Sequence, residues 1–209
     1  MGMRRLEAVS KSKEALIAPD LELIIAQQVN RLIQLGFHKE LGMSKEEYRA
    51  GFTLPAGASQ PESYKGRFDA LLVVEPRIVL ARQHARAGIK EWINTDNIQN
   101  LTKFPDTPYA VWTHDGQKYR PFSVEKAIKR FATDEVGSPQ IEVTALYLQH
   151  PEYFKNRGVD AAGSRGGGGG VPGLDTFVGG PGVRAPWIDR PGQGWGAGSR
   201  GKEIIRLGV

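Results

Sequence analysis

The chain has 209 residues, 40% hydrophobic and 9% aromatic, enough to bury a full core in one domain or in one domain with an appendage. Cysteine is absent, which excludes disulfide staples, thiolate catalysis and cysteine-ligated zinc. A formal charge of +5 and a pI near 9.5 admit an anionic partner, yet no run of five or six basic residues marks a nucleic-acid tail.

Residues 1–19 read as a charged lead-in, partly helical or frayed, with Arg4, Arg5, Lys11 and Lys13 interleaved with Glu7 and Glu14. They carry no signal-peptide core, and no apolar run in the chain reaches the ~18 residues of a membrane span, so the cytoplasm is the expected setting. Residues 20–54 read as a helical module. Asp20 caps a helix whose apolar stripe is Leu21, Ile24, Ile25, Val29, Leu32 and Leu35, and Gly36 ends it. Ser44 and Glu47 have capping-box spacing for a second, shorter helix carrying Tyr48 and Phe52. The Ala/Gly/Ser/Pro-rich stretch 55–66 reads as a loop between this module and an α+β domain over 68–205.

In that domain the run Ala70-Leu71-Leu72-Val73-Val74 predicts a buried strand, stopped by Glu75-Pro76. Residues 78–87 have helical spacing with Gly88 as the stop, and His84 belongs with Arg77, Arg82, Arg86 and Lys90 to a solvated polar face. Residues 89–93 suggest a further strand. The Asp115-Gly116 step between 109–113 and 117–121 signals a β-hairpin with a solvent-exposed His114 in its turn. Ser123 caps a helix over 124–132. Ser138 caps the next, with Pro139 at its first position, and Pro151 helps to stop that helix at His150.

Residues 157–202 hold 16 of the 26 glycines, with valines, leucine, phenylalanine and tryptophans recurring between them. A flexible tether lacks such residues, so short strands joined by turns near 166–170, 179–182 and 191–192 are expected, with Trp187 and Trp195 in the core or as lids. The fold class expected is therefore α+β: a helical N-terminal part followed by a mostly antiparallel sheet with a glycine-rich C-terminal strand-and-turn region.

Leu35-Gly36-Phe37, the segment GMSKEEYRAGF at 42–52, PYAVWTHDGQKYR at 108–120, His150-Pro151-Glu152, Gly163-Ser164-Arg165, Val171-Pro172 and Gly194-Trp195 occur in one order along the chain. In that order they resemble an uncharacterised bacterial family, domain of unknown function 5701, over roughly residues 20–200. The glycine run 166–170 is longer than that family's. Its aromatic-rich end has Trp195 and Arg200 where the family has Cys or His nearby, which puts in doubt any metal or thiol role taken from it. The resemblance implies a fold and no catalytic residues.

Searching for chemistry yields few candidates. The four histidines, His38, His84, His114 and His150, have no spacing that places two ligands on one face, so no metal and no cofactor is expected. Gly201-Lys202-Glu203 fails the phosphate-loop pattern at its third residue. Arg165 and Arg200, each beside glycines and preceded by Ser164 and Ser199, could cradle a phosphate or carboxylate, because a guanidinium offers two parallel donors and glycine lets an anion approach the backbone. Pairing of both arginines with local carboxylates or carbonyls is the competing reading.

Three function classes follow. The first is a non-catalytic structural or partner-binding module. The second is a binder of a phosphorylated ligand or nucleic acid through Arg165, Arg184, Arg190 and Arg200, with Ser164 beside them. The third is a hydrolase or transferase whose site assembles only in three dimensions, with Ser164, His150 and Asp160 as its candidates.

Overall fold

The computed structural model describes residues 20–155, 157–177, 179–186, 188–189 and 194–208. The lead-in expected over 1–19, the turn expected at 191–192, and Trp187 and Arg190 lie outside that set. Helices and a mixed, mostly antiparallel sheet give an α+β architecture. Among the described residues no helix is long and apolar enough to cross a membrane.

Local chemistry sets the helix starts. α1 (Leu21–Gln34) opens where Asp20 accepts the Leu23 amide at 3.2 Å, and its apolar side sends Ile25, Val29, Leu32 and Ile33 into the core. After the single turn α2 (Phe37–Glu40), α3 (Lys45–Ala50) begins with the reciprocal cap. Ser44 Oγ accepts from the Glu47 amide at 3.1 Å, while the Glu47 carboxylate accepts from the Ser44 amide at 2.7 Å. The apolar run is β1 (Ala70–Val74), and α4 (Leu80–Ala87) stops at Gly88, whose φ of 65° suits glycine. β2 (Lys90–Glu91) and β3 (Gln99–Asn100) are short, and β4 (Tyr109–Thr113) is buried throughout. Ser123 caps α5 (Val124–Ile128), followed by β5 (Glu135–Gly137) and α6 (Gln140–Gln149).

The glycine-rich quarter supplies β6 (Gly158–Ala161), β7 (Ser164–Arg165), β8 (Gly173–Asp175), β9 (Gly182–Arg184) and the long β10 (Trp195–Arg206). The main sheet runs β1-β4-β10-β6-β8-β9-β2, with β5 also paired to β10, and β3 and β7 form a separate ladder. β10 runs parallel to β6, and β2 parallel to β9; the other pairs are antiparallel. One apolar cluster joins α1, β1, β4, α6, β6, β8 and β9, and a smaller one gathers Tyr119, Val124, Ala127, Ala162, Val171 and Ala197 beneath α5.

The hairpin expected across 109–121 does not form. Both edges of β4 are taken, Val111 pairing with Leu72 of β1 on one side and Ile204 of β10 on the other, so residues 117–121 have no edge to join. With Gly116 at φ 79° the chain instead leaves the sheet into a 3-10 turn, Gln117–Tyr119. The cap expected from Ser138 is displaced as well. Pro139 occupies the N-cap position of α6, and the Gln140 amide is accepted at 3.0 Å by Ser164 Oγ, from 24 residues downstream.

The free edge of β1 is closed by a side chain. Gln28 of α1 donates to the Leu71 carbonyl at 2.7 Å and accepts from the Val73 amide at 2.7 Å, imitating one residue of a neighbouring strand. That arrangement satisfies two buried backbone groups and denies the edge to another chain.

Candidate functional site

The arginines of the C-terminal quarter part company in the fold. Arg200, 2% exposed, lies in the middle of β10, where its Nε donates to both Glu142 oxygens at 2.9 and 3.0 Å and its Nη1 to the Gly201 carbonyl at 2.8 Å. Tyr109 adds a phenol donor to Glu142 at 3.1 Å. Burial pushes the Glu142 carboxyl up against the opposing pull of Arg200. This guanidinium is committed to the core and turns no donor to solvent, so the cradle expected from Arg165 and Arg200 together is not assembled. Arg184 is held by Asp175 at 2.8 Å, and Arg190 lies outside the described residues.

Arg165 differs from both. It ends β7, and its Nη1 reaches two backbone carbonyls, Ser164 at 2.6 Å and Ala162 at 3.3 Å. Among the described residues no carboxylate pairs with it, and its Nε and Nη2 have no protein acceptor. Burial holds its pKa below the ordinary value. It lines an open groove of about 550 Å³ whose walls include Leu101, Ile128, Phe131 and Ala162, with Lys202 also at its surface. The loop 101–102 is pinned there by amides of Leu101 and Thr102 donating to the Gly163 carbonyl at 2.8 and 3.1 Å. The carboxylate that lines the groove among the described residues, Glu135, is already engaged with Lys118 and Tyr119 at 3.1 and 3.0 Å.

The hydrolase candidates are not brought together. Ser164, fully buried, donates to Asn100 at 2.8 Å while accepting the Gln140 amide; it caps α6 and has no base beside it. His150 ends α6, facing Glu152 at 3.1 Å and stacked on Tyr153. Asp160 stands in β6 with Oδ1 unpartnered among the described residues, and burial raises its carboxyl to about 8. No hydrogen bond among the described residues links any two of the three.

Two side-chain chains that the sequence did not suggest are present instead. His84, expected on a solvated face, is buried between Glu91, 2.6 Å from Nδ1, and Thr144, 3.0 Å from Nε2. That order, carboxylate to imidazole to hydroxyl, is the one a nucleophile needs, yet Thr144 is fully buried inside α6 and no substrate reaches it. His114, expected in an exposed turn, is stacked on Phe68 and lies 2.7 Å from Ser199 Oγ. Its Nδ1 accepts the Gly116 amide at 2.9 Å, so Nε2 carries the proton and donates to Ser199, which passes its own hydrogen to Glu135 at 2.5 Å. The proton therefore points the wrong way for His114 to activate Ser199. Burial pulls His114 down to about 4, more strongly than Glu135 holds it up.

Of the residues singled out in the sequence, Arg165 alone meets a groove with donors to spare; Lys202, which the sequence offered only as a failed phosphate-loop lysine, joins it there. Among the described residues no group of three or more metal-ligating side chains is placed to hold a metal ion. No family model matches the chain, and no curated protein or solved structure matches it.

Proposed function

We propose that the chain is a non-catalytic binding module that holds a small amphipathic anion, a carboxylate or phosphate on an apolar body, in the groove at Arg165. The single observation carrying this reading is a half-buried guanidinium with two donor atoms unused among the described residues, set against apolar walls and a second cation. The hydrogen-bond chains at His84 and His114 favour no acid/base role, one being closed and the other wrongly polarised. The helical N-terminal module over 20–54 belongs to the same proposal, supported by the caps of α1 and α3; the resemblance to family 5701 rests on the order of the short motifs alone.

Titration calorimetry with phenyl phosphate, against inorganic phosphate and against phenol, tests the groove. The ester is expected to bind more tightly than either part. Arg165→Gln is expected to weaken it by about tenfold or more, the worth of a charge-assisted hydrogen bond. Equal affinity of the wild type and Arg165→Gln for the ester would sink the proposal.

A further inference from the structure

A second surface, sharing no lining residue with the groove, lies on one face of β10, β6, β8, β9 and β2. Directly paired residues project to the same side of a sheet, so Trp195, Gly158, Asp175, Gly182 and Lys90 form one row across it. Glycine floors both ends of that face. A Cβ on Gly158 or Gly173 would meet the Trp195 ring at 2.6 Å, and one on Gly182 would meet Trp92 Nε1 at 2.7 Å, so each indole approaches closer to the sheet than any side chain there would allow. Trp92 nevertheless stays 56% exposed, and Phe177, 6.2 Å from Trp195, 44% exposed. Arg184 stacks over Trp92 at 4.9 Å and is steadied by Asp175, whose charge is buried and neutralised by that pairing. Exposed Lys90 lies in the same row, its Nζ donating to the Gly179 carbonyl at 3.0 Å.

Open aromatic planes beside the exposed ammonium of Lys90 on one sheet face match the chemistry of an unpaired nucleic-acid strand, whose bases stack while its phosphates seek positive charge. A neutral sugar polymer would use the planes and leave the Lys90 ammonium unmatched, so the charge favours the strand. We infer that the Trp92–Arg184–Phe177 face binds single-stranded nucleic acid, stacking bases on Trp92 and Phe177 and holding phosphate with Lys90, while Arg184, paired with Asp175, fixes the Trp92 ring. This inference goes beyond the groove reading and does not depend on it.

Fluorescence anisotropy of a labelled deoxythymidine oligonucleotide, titrated with the full chain over a series of salt concentrations, provides the test. Binding that weakens linearly in log salt is expected, with Trp92→Ala and Phe177→Ala each lowering affinity about tenfold or more. Trp92→Tyr, which keeps a stacking plane, is expected to retain most of the affinity. Melting curves of each variant establish that it is folded, and Lys90→Ala, at an exposed position, reports the phosphate contact through a shallower salt slope. The inference is overturned by absence of binding at low salt, by equal binding of duplex DNA, by insensitivity to both alanine variants, or by salt-independent binding of a neutral polysaccharide instead.

Discussion

Asp160 carries a carboxyl whose ionisation the fold opposes. Its neighbours across the ladders, Ala197 and Gly173, offer no donor, and its carboxyl is raised to about 8 by burial alone. A carboxyl held above its unfolded value binds a proton in the native state that the unfolded chain has released, so stability is fully present below about pH 4 and declines as pH rises towards 8. The loss by pH 7 is on the order of 4 kcal/mol, because about three pH units separate the unfolded carboxyl's range from pH 7. Asp160→Asn is therefore expected to raise stability at pH 7 and to flatten the pH profile, as measured by urea melts from pH 4 to pH 8; a variant with the wild-type slope would show that the carboxyl finds a partner. His114 acts in the opposite sense. Its pKa lies below the unfolded value, so its contribution is present above about pH 6.5 and disappears as pH falls towards 4.

At the scale of elements, the contact between α1 and β1 turns on Gln28. Its carboxamide serves both the Leu71 carbonyl and the Val73 amide, which a helix packed by apolar residues alone would leave unpaired. Gln28→Ala is expected to cost about 2–4 kcal/mol, since two buried backbone groups lose their partners. Faster amide exchange at Val73 than in the wild type should accompany it, whereas a loss below about 0.5 kcal/mol would mean that water replaces the side chain. The same reasoning explains the start of α6: its first amide is served by Ser164 from another strand, so the helix end and the β3–β7 ladder are tied together.

Across the whole molecule, the pair Arg200–Glu142 joins the long strand β10 to the buried helix α6 through the centre of the core. Removing one partner strands a charge, so Arg200→Met is expected to cost about 3–5 kcal/mol. Replacing the set together, Arg200→Met with Glu142→Leu and Tyr109→Phe, is expected to recover most of that loss in denaturant melts, because no buried charge is then left unpaired and only the carbonyls of Gly201, Lys202 and Lys103 lose a donor. If the triple variant is as unstable as the single one, the pair contributes more than the avoidance of an orphan charge. Burial of β6, β8 and β10 likewise makes the glycine-rich quarter part of the sheet itself.

Features decided within a few residues were open to reading before any fold was known. Asp20 and Ser44 cap their helices, Gly88 stops α4, β1 is the apolar run, and the glycine turns at 166–170 and 179–182 form where positive φ is available, at Gly168, Gly169, Gly179 and Gly180. What only the tertiary structure decided is which edges and partners are taken. The 109–121 segment looks like a hairpin until β1 and β10 occupy both sides of β4, and Arg165 and Arg200 look alike until one meets Glu142, 58 residues away, and the other meets none. His114 and Ser199 lie 85 residues apart, and their pairing depends on strand register. Caps and turns are settled by a residue's own neighbours in the chain, whereas burial and partnership depend on register between distant strands, which short-range composition does not encode.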